Sequence, residues 1–469
     1  VTPPRVAVVG GGISGLTAAH RLRVLLGADA RITVVEQTDR LGGKIRTAEV
    51  AGRRYDVGAE AYLVRRPEVT ALLDELGITG VAHPTAARST VRAGGVTRPI
   101  PGGTVMGVPA DPAAVKDLLS DAGLRRVAAE AALPPVDLDG DAPLGALLRD
   151  RFGDELPDRL VDPLLGGVYA GGVDGLGLRA TLPAIAGALD AGARTLTEAA
   201  AKALPKPTSR PVFGTLAGGL SALVDRLAGS ADVRLGTTVR ALARTEHGWR
   251  LTLGANAPAH APADPVLDVD AVVLAVPAPA ARKLLADVAP VAAAAYGRVE
   301  VASMAVVALA LPEGTELPGT SGVLLGARER RLDGTPFAVK AFTFSASKWA
   351  HLGGETVVVR GSVGRHRDPG ALRADDDELV RLVRADLVEL TGVTAPPVDA
   401  LVTRWGGGLP QYAAGHADLV DEIERAVDAL PGLAVAGATL HGVGIPACIG
   451  TGEAAARRVA AHVRAPATG

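Results

Sequence analysis

The 469-residue chain contains a single cysteine, Cys448, which rules out an intrachain disulfide framework and fits a reducing compartment. It lacks Cys and His clusters at the spacing of a structural zinc site, so no metal is expected. Charge of one sign is missing too: the formal net charge is -2, acids and bases are mixed throughout, and no basic stripe suits a nucleic acid. Mean hydropathy is positive, yet no uninterrupted apolar run reaches the roughly 18 residues of a membrane span. The richest stretch, residues 299–312, is interrupted by Glu300 and Ser303. Residues 1–9 run straight into a strand pattern without a charged leader. These absences predict a soluble cytoplasmic protein, with peripheral membrane contact left open. Aromatic residues make up only 3%, but 48% of the chain is hydrophobic, enough for a large core. At this length two packed domains are expected.

Residues 5–9 read as a short buried parallel strand, 13–26 have helical spacing, and 31–36 form a second buried strand; together they make a βαβ unit. Helical patterns follow at 67–76, 112–130 and 142–165. A helix at 219–227 leads to strands at 233–239, 249–253 and 267–276, with an exposed hairpin insertion at 254–265. A long helix is expected over 374–390, then a strand at 433–436 and a helix at 452–463. The predicted class is α/β. A Rossmann-like nucleotide-binding domain is assembled from the discontinuous segments 1–80, 211–288 and 404–469. Between them lie a mostly helical subdomain at 81–210 and an α+β substrate domain, sheet and helix, at 289–403.

Gly10-Gly11-Gly12-Ile13-Ser14-Gly15 matches G-x-G-x-x-G between a strand and a helix. Gly10 permits the tight turn, Gly12 lets backbone approach a pyrophosphate, and Gly15 allows close packing of helix on sheet. The helix start offers free N–H groups and a positive dipole end to phosphates. Such a pattern alone is weak. Glu36 strengthens it by ending the second strand, where a carboxylate can bind a ribose hydroxyl and would repel a 2′-phosphate. Directly behind it lies Arg40-Leu41-Gly42-Gly43-Lys44, a glycine doublet flanked by basic groups that could reach cofactor phosphates. The plain alternative for the doublet is an exposed turn with solvated charges.

This arrangement resembles the flavin-dependent amine oxidase superfamily. Tyr55-Asp56-Val57-Gly58-Ala59-Glu60 is similar to the strand and turn that meet the flavin there. Residues 233–239, ending at Val239, resemble the strand that receives the adenine. Residues 433–448, with Gly437 and Gly442-Val443-Gly444-Ile445-Pro446, resemble the closing strand–turn–helix. Narrower motifs resemble porphyrinogen oxidases, most of all their soluble bacterial branch that acts on coproporphyrinogen III. They are Pro99 to Gly103 with Gly107-Val108-Pro109, Pro163 to Gly171, Lys340 to Ser345 with Lys348-Trp349, and Arg404-Trp405 before Leu409 to Tyr412.

The resemblance implies non-covalent FAD. It also implies six-electron oxidation of coproporphyrinogen III by O2, with release of hydrogen peroxide, in haem biosynthesis. Protoporphyrinogen IX as substrate is the near alternative; another amine oxidase or desaturase, or a non-enzymatic protein of the same fold, is more distant. The cofactor residues implied are Gly10, Gly12, Ile13, Ser14, Gly15, Glu36, Gln37, Arg40, Gly42, Gly43, Lys44, Gly58, Ala59, Glu60, Val239, Gly437, Val443, Gly444 and Ile445. No side chain is expected to act as catalyst, since the flavin carries the redox step.

Propionates require basic groups among apolar walls. Lys340, among apolar strand neighbours, is the first candidate, with a snorkelling edge lysine as the alternative. Arg65 and Arg98 are weaker, being the sort of arginine that is usually solvated. Gly167, Val168 and Tyr169 are expected beside the macrocycle, or Gly167 simply ends a helix. His441 could tune the flavin or be a surface histidine. Cys448 could tether the flavin, although its spacing favours a small packed residue. Ala447 stands where many family members carry an acid. Transient contact with a downstream ferrochelatase is a further expectation.

Overall fold

Val6, Ala7, Val8 and Val9 are all apolar and all buried, which suits a strand covered on both faces; Arg5–Val9 is the middle strand of a five-stranded sheet. Arg31–Val35 and Ala271–Leu274 flank it, with Asp232–Arg234 and Leu433–Val435 outside them, and every pairing is parallel. The sheet therefore draws on three distant parts of the chain, as a discontinuous nucleotide-binding domain requires. The structure is a computed structural model that describes residues 3–206, 210–255, 264–354 and 356–465. Most of the expected hairpin insertion, residues 256–263, lies outside these.

The first helix, Ile13–Leu26, and the last, Ile445–Arg464, pack together on one face of this sheet over a core that includes Ala18, Leu22, Ala456 and Val459. Any side chain at Gly452 would collide with the Ser14 carbonyl, so the two helices meet backbone to backbone. Two expected strands are each divided. Residues 233–239 break at Gly236 (φ 62°), so Asp232–Arg234 joins the parallel sheet while Thr237–Thr245 pairs with Gly248–Ala255, which in turn pairs with Val266–Val269, in an antiparallel one. Val239 thus sits inside the second strand, at an irregularity in its register, rather than at a strand end. Residues 267–276 break at Asp270, whose carboxylate takes the Arg5 backbone N–H and guanidinium.

The sheet expected to carry the substrate has seven strands, in the order Asp399–Pro410, Val301–Leu311, Val357–Val363, Val339–Phe344, Gly322–Leu325, Ser89–Ala93, Val96–Pro99. One face (Val307, Leu309, Phe342, Phe344, Val359) packs on the helix Asp376–Thr391. The other face (Ala308, Ala310, Val358) packs on Val50, Tyr55 and Val57 of the nucleotide-binding part. Residues 89–99 belong to this sheet rather than to the helical subdomain, and Asp399–Pro410 crosses the expected boundary at 403/404. The expected helices at 112–130 and 142–165 are interrupted. Ser120 caps a new start at Asp121–Ala129, and Gly153 (φ 73°) ends Leu144–Phe152 before a π-turn leads into Asp162–Tyr169.

One buried carboxylate shapes the strand that matters most. Asp386 accepts the backbone N–H groups of Ala338 and Val339 at 2.8 and 2.9 Å and pairs with Arg331. Just beyond, pairing with Val357–Val363 slips between Val339 and Ala341, so Lys340 occupies a bulge. Replacing Asp386 with alanine would strand a guanidinium and two N–H groups in the core. The expected loss is about 3 kcal/mol of unfolding free energy, measured by urea denaturation; an unshifted midpoint would contradict the role given to Asp386.

Candidate active site

Gly10 has φ 106° and a side chain there would strike the Ala275 carbonyl; Gly15 would strike that of Gly10. These two glycines are required by the fold itself. Gly12 and Gly444 are different. They precede the first and last helices with ordinary backbone angles (φ -74°, ψ 175° and φ -75°, ψ 155°), and a Cβ on either would meet nothing closer than 3.7 Å. Neither helix start has a side-chain cap or an acid in its first turn. Two bare helix ends thus border free space that side chains would fill, a cradle that fits an anionic dinucleotide. Gly437 (φ 126°) also has nothing within 4 Å, and its N–H is fixed to Thr451 Oγ1 at 3.0 Å.

The Gly42-Gly43 doublet lies against this cradle. Gly42 N–H donates to the Gly11 carbonyl at 2.8 Å, and a Cβ on Gly43 would approach Gly12 Cα to 3.1 Å. Glu36 accepts the N–H groups of Gly11 (2.7 Å) and Thr38 (2.8 Å), so its carboxylate braces the turn as well as ending the strand. Arg40 donates to the Gly43 and Leu41 carbonyls and so staples the doublet. Gln37 is exposed, while Ile13 and Ser14 are buried. Lys44 forms no hydrogen bond or ion pair, and burial of its stem pushes its pKa down.

Residues 56–60 are held from three sides. Val57 and Ala59 donate N–H groups to the Arg46 and Lys44 carbonyls, and Trp405 Nε1 donates to the Val57 carbonyl. From the substrate sheet, Arg360 donates to the Asp56 and Gly58 carbonyls at 3.2 and 2.8 Å. The Glu60 carboxylate faces Lys348 and Arg360; burial raises its pKa, but the two cations outweigh this and hold it below the usual value. Glu60 therefore contributes backbone to the turn while its side chain is committed to an ion pair. Burial pushes Asp56 up to about 6, against hydrogen bonds from Thr47 and the Leu220 backbone.

On the substrate side, Asp162–Tyr169 packs across Gly322–Leu325 and Val339–Phe344. Lys340 is 3% exposed and its Nζ has no hydrogen-bond partner; burial, then the charges of Arg365 and Arg360, push its pKa down to about 7. Tyr169 is buried, its ring 5.5 Å from that of Tyr412, and burial pushes its phenol up to about 12. Gly167 faces Leu324, whereas the Val168 side chain turns outward, 41% exposed. Gly171 leaves room for Gln411, which donates to the Tyr169 carbonyl at 2.8 Å.

Arg65 and Arg98 are exposed, and Arg98 lies on the outermost strand, three strands or about 14 Å from that of Lys340. His441 is 55% exposed and hydrogen-bonded to Glu424, which makes it the surface histidine of the two readings. Cys448 is buried with a raised pKa, a packed thiol. Ala447 is buried at the start of the last helix, with no acid in that first turn. The charged residues that sequence reasoning missed are Arg360 and Arg365. Arg360 interrupts an apolar strand in the same way as Lys340, and that signal was available.

A glycine-lined trough bordered by two uncapped helix starts on a parallel sheet defines a dinucleotide-binding protein. The chain belongs to the flavin-containing amine oxidoreductase family, which it matches over residues 13–460. Its cofactor is FAD. It is similar to coproporphyrinogen III oxidase of Mycobacterium tuberculosis, 44% identical over 468 residues that cover 99% of this chain and 98% of the relative. The Bacillus subtilis protein of the same name is 31% identical over 96% of both chains. A crystal structure from Exiguobacterium sp. 255-15, provisionally titled protoporphyrinogen oxidase, superposes with a TM-score of 0.84 at 30% identity, covering 98% and 99% of the two chains. Among the described residues no helix is long and apolar enough to cross a membrane.

Gly12→Ala tests the cradle, because the apoprotein has room for a Cβ there. The apoprotein should keep its unfolding midpoint while FAD affinity, read by flavin fluorescence quenching, falls roughly 100-fold, equivalent to about 3 kcal/mol. Unchanged affinity would place the cofactor elsewhere. Asp56 makes a separate prediction. Because its folded pKa is raised, it adds stability that is fully present below its ordinary value near 3.8 and is lost as pH rises through about 6. The stability of wild type relative to Asp56→Asn should thus fall by about 3 kcal/mol between about pH 4 and pH 7. Parallel pH curves would refute the shift.

Proposed function

We propose that this chain oxidises coproporphyrinogen III to coproporphyrin III, using three O2 and releasing three H2O2. The observation that carries the reading is a cationic interior next to the dinucleotide cradle. Lys340 and Lys44 lack a counter-ion, and Arg360 and Lys348 share the single carboxylate of Glu60. Such an interior suits a ligand with several carboxylates, and full-length relatives named coproporphyrinogen III oxidase supply the substrate class. When bound, FAD supplies a two-electron acceptor, three rounds of which account for the six electrons removed.

The protein's part is to hold, orient and exclude. Gly10, Gly12, Ile13, Ser14 and Gly15 present the first helix end to the pyrophosphate; Val443, Gly444 and Ile445 present the second, with Gly437 leaving space beside it. Glu36 and Gln37 lie at the ribose, Val239 at the adenine, and Arg40, Gly42, Gly43 and Lys44 along the phosphates. Gly58, Ala59 and Glu60 form the wall at the ring. Lys340 is the first ligand for a substrate carboxylate, and Gly167, Val168 and Tyr169 border the macrocycle. Arg65 and Arg98 lie farther out, where they can attract an anionic substrate. A cytoplasmic location and transient delivery of product to a ferrochelatase complete the proposal.

Protoporphyrinogen IX is the second reading, favoured by the likeness to the Exiguobacterium structure. Anaerobic mixing with each porphyrinogen separates them. Coproporphyrinogen III should bleach three flavin equivalents per porphyrin formed and, in air, yield three peroxides. A yellow holoprotein that neither compound bleaches would overturn both.

A further inference from the structure

Buried Lys340 and half-buried Arg365 lie within electrostatic reach of each other, and neither has an ion-pair partner. Lys340 is sealed from solvent and hydrogen-bonded to nothing. Arg365 reaches under the helix Asp162–Tyr169 and lies against Gly166, where a Cβ would sit 3.4 Å from Nη1, in ordinary contact. Its one side-chain hydrogen bond, from Nη2, goes to the Leu325 carbonyl at 2.6 Å. The charged groups around the pair are accounted for. Glu60 is held by Lys348 and Arg360. Asp162 accepts the N–H groups of Val173 and Ala327, and Asp368 lies across the turn that Arg365 begins; both act on Arg365 from beyond ion-pair distance. Arg360 is spent on the Asp56 and Gly58 carbonyls. A buried and a half-buried cation within electrostatic reach, neither ion-paired, are unfavourable unless an anion joins them.

We infer that Lys340 and Arg365 form a two-cation corner that receives one carboxylate of the substrate, with Arg365 as a specificity-determining residue. This rests on the porphyrinogen reading above. It adds that the second cation is Arg365 and not Arg360, and that the corner reads the carboxylate rather than the ring. The guanidinium keeps Nη1 and Nε for the incoming group once Nη2 is tied to Leu325, and the flexible lysine stem supplies the second contact. The cofactor phosphates belong to the glycine cradle, so the anion is either a substrate carboxylate or a small free carboxylate, and the substrate is the assignment made here.

The test uses FAD-loaded wild type, Lys340→Met, Lys340→Arg, Arg365→Met and the double variant carrying both methionines. Binding of coproporphyrin III and of its tetramethyl ester is followed by fluorescence. Wild type should prefer the free acid. Each methionine variant should lose about 10- to 100-fold in affinity for the acid while holding the ester and its flavin spectrum unchanged. Both together should lose little more than either alone, since they share one carboxylate, and Lys340→Arg should recover most of the preference. For coproporphyrinogen III the loss should fall on KM more than on kcat. An unchanged acid-to-ester ratio in Lys340→Met overturns the corner, as does acetate binding there without weakening coproporphyrin III.

Should the methionine variants fail to fold, wild type decides. Calorimetry in buffers of different ionisation heat at about pH 8 should show proton uptake on binding coproporphyrin III, because a carboxylate returns the proton to Lys340; no uptake overturns the inference. Wild type that oxidises neither porphyrinogen removes the functional reading and this corner with it. Wild type that oxidises coproporphyrinogen III beside variants with unchanged KM removes the corner alone.

Discussion

The first and last helices touch backbone to backbone, and the rest of the structure depends on that contact. Gly452 has no side chain to strike the Ser14 carbonyl, so the start of the first helix lies against the last helix about two turns in from the latter's own start at Ile445. Gly15 allows the same closeness between the first helix and the Gly10 turn. With the helices seated, Thr451 can take the Gly437 N–H and shape the second loop beside the first. Neither loop alone would make a dinucleotide cradle with two bare helix ends. The close packing brings them together, at the cost that these glycines admit no substitute.

From the cradle the constraint passes to the substrate sheet through the 56–60 turn. Arg360 belongs to the sheet yet donates to two carbonyls of the turn, while Glu60 of the turn returns the contact to Lys348 and Arg360. Tyr55 and Val57 pack beneath on Ala308 and Ala310. The 56–60 turn and the seven-stranded sheet are thus one bonded unit, an arrangement that suits chemistry in which a large macrocycle is held at a fixed distance from its oxidant. Around the 56–60 turn and the Lys340 strand, Lys340 and Lys44 lack a counter-ion while Lys348 and Arg360 share Glu60, a local bias that favours anionic ligands over amines.

Much of this was legible in the sequence, for physical reasons. The strand 5–9, the glycine pattern and Glu36 are local features, and local rules found them. Gly437 to Ile445 could be read only by resemblance, since nothing local says that a second helix start will face the first. Boundaries failed where one residue redirects the chain: Gly236, Asp270 and Gly153 each split an element that hydrophobic pattern ran together. Lys340 stood out as a charge in an apolar strand, but its partner Arg365 follows a strand end in a run of polar residues and looks like a surface loop until the fold buries it. Glu60, read as a cofactor ligand, is neutralised by cations about 290 and 300 residues away, which no local rule can foresee.

The most direct measurement is a crystal structure of the FAD-loaded protein with coproporphyrin III. The pyrophosphate should lie between the N–H groups at Gly12 and Gly444, the flavin ring against Gly58 and Ala59, and the porphyrin between Tyr169 and the Lys340 strand. A porphyrin bound away from the 56–60 turn, or a pyrophosphate that touches only one helix end, would contradict the site described.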